Sequence, residues 1–266
     1  MLRRPLLGAA MLGLSAPPVR SATAADQVDV ALVLAVDASG SIAEAEFKLQ
    51  REGCAEAVTH PAVLAAITGG PLGGVALAMV EWGAPGGAVT VVPWRTVRDA
   101  ASAGKLAAAF REAPRSLQSY NAIGDAIDHA VAEIAGCPFE AMRGVIDLSG
   151  DAGDMRSRRP AAVARDAAVA QGLTINALAI ENAYRPGLAA QYEAEVIGGP
   201  GCFVVTAAGR EDFARAMRVK LVREIAGVRR HLPEQALLAF RRHSSEKLSS
   251  LRLRFPWHAR HGSEKG

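Results

Sequence analysis

Asp37, Ser39 and Ser41 stand at alternate positions of Asp37-Ala38-Ser39-Gly40-Ser41, one carboxylate and two hydroxyls on a turn that contains glycine. Hard oxygen donors at this spacing suit Mg2+ or a similar cation. Asp151 closes a second segment, Ser149-Gly150-Asp151, and the polar stretch Ser116 to Asn121 offers Ser119 and Asn121. These donors can act together only if the fold brings three separate loops to one place.

The elements around them predict that it does. Val28 to Val36 is almost wholly apolar and Val-rich, then turns polar at Asp37. A short run of this kind reads as a strand buried on both faces, as in a parallel sheet. Ligands of open parallel sheets bind at the carboxyl ends of the strands, and Asp37, Ser39 and Ser41 lie at such an end. Gly144 to Leu148 is another strand, and it delivers Asp151 to the same edge. Ala122 to Ala135 is a helix with Ile123, Ile127, Val131 and Ile134 as its apolar stripe, so Ser119 and Asn121 precede a helix amino terminus.

The remaining elements follow the same alternation. Ile42 to His60 is helical, with Pro61 breaking or restarting it. Strands at Val75 to Trp82 and Ala88 to Pro93 are separated by about five residues, too few for the crossover of a dozen or more that parallel strands need, so they form an antiparallel hairpin. A helix over Asp99 to Glu112, one from Pro160 to Gly172, strands at Leu173 to Ile180 and Gly201 to Thr206, and a final helix carrying Phe213, Met217, Leu221 and Ile225 complete the pattern. The expected fold class is α/β: a doubly wound, Rossmann-like, mostly parallel six-stranded sheet with one antiparallel edge strand.

The termini differ from this core. Arg3 and Arg4, the apolar stretch Leu6 to Leu14 and the small residues Ala22-Thr23-Ala24 form a cleavable signal peptide over residues 1–24, which places the mature chain in the periplasm or outside the cell. No stretch reaches the roughly 18 apolar residues of a membrane span. Residues 229–266 hold nine Lys or Arg against three Asp or Glu, a local +6, while the whole 266-residue chain carries +3. The rest therefore sums to −3, and the basicity belongs to a tail (228–266, expected to be disordered) rather than to a nucleic-acid surface. Cys54, Cys137 and Cys202 show no C-x-x-C spacing, which argues against a zinc site and leaves either one disulfide with a free thiol or buried, inert thiols.

Enzyme motifs are absent: there is no G-x-S-x-G elbow, no G-x-x-x-x-G-K-[ST] loop and no H-E-x-x-H. One enzymatic alternative is a Mg2+-dependent phosphohydrolase with Asp37 as nucleophile. That chemistry usually needs a second carboxylate two residues on, where this chain has Ser39. Elsewhere, Asp147 inside its strand reads as a paired structural group and Asp154 as a solvated loop residue that could line the crevice. Arg156, Arg158 and Arg159 read as a solvated charge run with an anionic partner as the alternative, and Trp82 and Trp94 as core.

Asp37-Ala38-Ser39-Gly40-Ser41 resembles the first element of the metal-ion-dependent adhesion site (MIDAS) of von Willebrand factor A domains. Val30 to Ser41, Leu49 to Gly53, Val80-Glu81-Trp82, Val145 to Asp151, Ala164 to Val169 and Val196 to Gly201 resemble one branch, a family of exported bacterial proteins catalogued as DUF1194. The resemblance covers roughly residues 27–227. It implies a metal set of Asp37, Ser39, Ser41, Asn121 and Asp151 around Mg2+, or Mn2+ or Ca2+, with the ion completed by an acidic side chain of a protein partner. The family pattern carries Thr where this chain has Asn121, whose carbonyl oxygen is also a hard ligand; Ser119 is the substitute donor. An interaction scaffold without the cation is the remaining alternative.

Overall fold

The computed structural model describes residues 27–181 and 186–227. The expected signal peptide and basic tail lie outside them. Six strands and seven helices are described: β1 (Gln27–Asp37), α1 (Glu44–Thr59), α2 (Pro61–Thr68), β2 (Val75–Trp82), β3 (Val89–Val97), α3 (Ala100–Glu112), α4 (Ile123–Ala135), β4 (Glu140–Gly150), α5 (Ala161–Val169), β5 (Thr174–Ile180), α6 (Leu188–Glu195), β6 (Val204–Ala207) and α7 (Phe213–Ala226).

The sheet order is β3-β2-β1-β4-β5-β6, parallel except for the antiparallel β2–β3 pair at the edge. β1 is central because its side chains are apolar on both faces. Val30, Leu32, Leu34 and Val36 pack with Cys54 and Val58 of α1 and with Phe213, Met217, Leu221 and Ile225 of α7. Val33 and Ala35 pack on the opposite face with Ile123 and Ile127 of α4. Each fully buried Val or Leu contributes about 1.5–3 kcal/mol. Gly53 lets α1 lie against α7, since a Cβ there would come within 2.7 Å of the Phe213 ring.

The main differences from expectation are in β3, β4 and α6. β3 continues through Pro93 to Val97, with register shifts either side of Met79. A proline is tolerated on an edge strand at such an irregularity, where no ladder donor is required. β4 begins at Glu140, earlier than its apolar stretch. α6 was not foreseen, because only Leu188 and Tyr192 of its eight residues are buried. Pro61 restarts the helix as expected, with the His60 ring accepting from Ala62 N at 3.1 Å.

The three cysteines are free thiols. Burial pushes the Cys54 thiol up to about 12, so it stays protonated and inert.

Candidate functional site

At the carboxyl edge of the sheet, Asp37 ends β1 with its side chain only 1% exposed. Its Oδ1 accepts from Ser39 N at 2.8 Å, folding the chain back at once. The Ser39 and Ser41 hydroxyls face each other at 3.3 Å. This first loop is clamped to the loop before α4. Arg115 Nη2 donates to the Ile42 carbonyl at 2.7 Å, and Ser116 N donates to Glu81 Oε2 at 2.6 Å. Glu81 is itself buried and paired with Arg51 of α1. Between the two loops runs Gly83; a Cβ there would meet Ser39 Cα and the Tyr120 carbonyl, each at 3.2 Å.

The loop before α4 brings in Asn121 as expected. Its side chain approaches Asp37, with Nδ2 donating to Asp37 Oδ2 at 3.2 Å. The amide nitrogen, rather than the carbonyl expected of a ligand, therefore faces the carboxylate; to serve as a ligand the amide must turn over, a rotation that leaves its shape unchanged. Ser119, the proposed substitute, is exposed. Its neighbour Gln118 makes the loop's contacts instead, accepting from Ala84 N at 2.9 Å and donating to the Gly87 carbonyl at 2.7 Å.

The loop after β4 supplies Asp151. It is held to the α4 loop by Met155 N donating to the Asn121 carbonyl at 2.7 Å. On either side of this bridge lie Tyr120 (φ 59°) and Arg156 (φ 65°), both left-handed without being glycine. The Arg156 guanidinium covers the Tyr120 ring at 4.7 Å. Asp154, expected as a solvated loop residue, instead fastens two helices: Oδ1 accepts from Ile123 N at 2.9 Å and Oδ2 from Ala161 N at 3.0 Å, at the first turns of α4 and α5. Arg158 and Arg159, read as a solvated run, pair with Asp125 and Asp128 of α4.

Burial pushes the Asp37 carboxyl up to about 7, and the negative charge of Asp151 adds to the rise; Ser39 and Arg210 oppose it. The crevice thus holds more negative charge than it can comfortably ionise. A cavity of about 250 Å3 opens beside it, lined by Ser41, Glu46, Asp151 and Glu211 among others.

Two residues at the site carry no signal in the sequence pattern. Arg210, between β6 and α7, donates from Nη2 to Asp151 Oδ2 at 2.5 Å and places Nε 3.1 Å from Glu46 Oε1. Gln50 of α1, with its amide oriented to satisfy both ends, accepts from Arg210 Nη1 at 2.8 Å and donates to the Asp37 carbonyl at 3.1 Å. The one cue to Arg210 is positional, a charged residue directly after the last strand on the edge where the other donors lie.

The donor set is compatible with a hard divalent cation. Magnesium ligands at about 2.1 Å in an octahedron put adjacent oxygens about 3 Å apart, close to the Ser39–Ser41 separation. Two hydroxyls, two carboxylates and a rotatable amide converge there, although among the described residues no group of three or more His, Cys, Asp or Glu is gathered.

The family model described as "Protein of unknown function (DUF1194)" matches residues 27–229. The chain belongs to this family. No curated protein sequence matches this DUF1194 chain. Solved structures with a similar fold include proximal thread matrix protein 1 from the mussel byssus, at 13% identity and a TM-score of 0.57 over 73% of this chain and 47% of that one. A von Willebrand factor type A structure from Catenulispora acidiphila follows at 19% identity and 0.53, over 76% and 43%. A second mussel structure, described as having a zinc-occupied MIDAS motif, matches at 16% and 0.51, over 74% and 46%. The DUF1194 chain spans less than half the length of each. At these identities the likeness establishes the fold, which is that of a von Willebrand factor A domain.

Proposed function

We propose that the DUF1194 chain is an exported, non-catalytic von Willebrand factor A-type binding domain that engages a protein partner through a divalent cation. Ser39 and Ser41 hydroxyls would hold the ion, with Asp37, Asp151 and a turned Asn121 completing the protein's share. The observation that carries this reading is the convergence of three loops on Asp37, whose carboxyl is raised to about 7 beside a second carboxylate. Such a site gains from added positive charge. Magnesium, manganese and calcium all suit these donors. The ion would keep an exchangeable position for an acidic side chain of the partner. The mussel structure described with zinc at a MIDAS motif supports the idea that this fold can carry a metal.

The phosphohydrolase alternative is less well supported. Asp37 is buried, and both its oxygens already accept hydrogen bonds, from Ser39 N and Asn121 Nδ2. An in-line nucleophile needs an open approach to its oxygen.

Thermal unfolding in Mg2+ or Mn2+ tests the proposal. Wild type should gain several degrees at saturating cation through binding linkage, and Asp37→Ala should lose that response. A wild-type melting temperature indifferent to both ions would sink the cation reading. Export is checked by the mass of the chain recovered from the periplasm or medium, expected to lack the first 24 residues or so.

A further inference from the structure

The residue that most constrains the crevice is Arg210. Its guanidinium is only 9% exposed and spends its donors on the site or its supports: Nη2 on Asp151 Oδ2, Nη1 on Gln50, and Nε on Glu46. Gln50 passes the contact on to the Asp37 carbonyl. One side chain from the β6–α7 connection thus ties α1, the end of β1 and the end of β4 together.

Resting on the cation reading above, we propose that Arg210 is a built-in counter-cation that competes with the divalent ion for Asp151 and so sets the site's metal affinity. The Asp151 carboxylate that a metal would use is already donated to by Arg210, and two like charges confined to one partly buried crevice repel more strongly than they would in water. Entry of the ion transfers Asp151 from guanidinium to metal. Glu46 and Gln50 make that exchange feasible, because Arg210 keeps both as anchors after giving up Asp151. Arg210 would then act as a threshold, admitting cations only when their concentration or a partner's carboxylate adds enough binding free energy to displace it.

Calorimetric titration of Mn2+ into the full-length chain decides the matter. Arg210→Gln should bind Mn2+ about tenfold more tightly than wild type, or more. Arg210→Lys, which keeps the charge but cannot donate to Asp151, Glu46 and Gln50 together, should fall between them. If Arg210→Gln loses its near-ultraviolet circular dichroism, Arg210→Lys alone decides, by binding more tightly than wild type or not. Wild type that binds Mn2+ with variants that bind equally or more weakly overturns the role of Arg210 and leaves the cation site standing. If neither wild type nor variant binds, both ideas fall. Weak binding by wild type beside tight binding by Arg210→Gln is the strongest support.

Discussion

Two clusters in this DUF1194 domain pair carboxylates with a single cation, and they lie in opposite surroundings. At the carboxyl edge, Asp151 and Glu46 share Arg210 beside an open cavity, and Gln50 links Arg210 to the Asp37 backbone carbonyl. Inside the core, between the sheet and α7, Asp147 and Glu224 share Lys220, at 2.6 and 2.8 Å, with no exposed atom among the three to speak of. Asn176 adds a hydrogen bond to Glu224 at 2.9 Å and receives one from Phe203 N at 3.2 Å, while Arg143 donates to the Glu224 carbonyl. The compositions are alike. In the core cluster each charge faces a neighbour that no solute can replace, which makes it a fastening between β4, β5 and α7. At the edge the same chemistry faces solvent, where a cation or a partner can intrude. Composition alone therefore does not mark a site; access does.

The widest gap between the two should appear on removing the cation. Lys220→Met leaves the Asp147 carboxylate buried without a counter-charge and should cost about 3–5 kcal/mol in urea unfolding. Arg210→Gln removes a cation whose partners reach water, and about 1 kcal/mol is expected. Equal losses would erase the distinction and make the edge cluster structural.

A second test uses protons. Burial, with the charge of Asp147 added, pushes the Glu224 carboxyl up to about 8, above its ordinary value. Lys220 balances only one of the two carboxylates, so a proton on Glu224 leaves the cluster neutral. A folded-state pKa above the unfolded one means that the folded protein holds the extra proton. The stability this contributes is complete below the unfolded pKa and is lost as pH rises through the folded one. Unfolding free energy should therefore decline between about pH 5 and pH 8, and Glu224→Gln should flatten that slope. A wild-type profile unchanged across the interval would argue that the cluster holds both carboxylates ionised.

The smallest effect concerns Asn121. Replacing it by Thr removes the amide N–H that now engages Asp37 and presents a hydroxyl to the crevice. Mn2+ affinity should rise several-fold, worth about 1 kcal/mol. A weaker site would mean that Asn121 serves the ion better than the residue of the family pattern.

Much of this architecture could be read in advance for identifiable reasons. The apolar run of β1 has no polar face to expose, so it had to be central. The link between β2 and β3, six residues long, is too short for a crossover. Phe213, Met217, Leu221 and Ile225 repeat at helical spacing and all reach the core. The placement of Asp37, Ser39, Ser41, Asn121 and Asp151 on one edge was legible because each follows a strand or precedes a helix there. α6 was not, having too few buried residues to print a period. Asp154 was misread because its cap partners belong to helices that begin 31 residues before it and 7 after it.

Sequence by itself determined the sheet, its order of burial and the edge where oxygen atoms gather, since those depend on local period and on the length of connections. Only the tertiary structure decided what each charge meets. Asp151 and Arg210 are 59 positions apart, and Asp147 reaches Lys220 across the core. Charged side chains carry no periodic signal of their partners. Their pairing, and with it the difference between a fastening and a site, is fixed when packing sets distance, burial and local dielectric together.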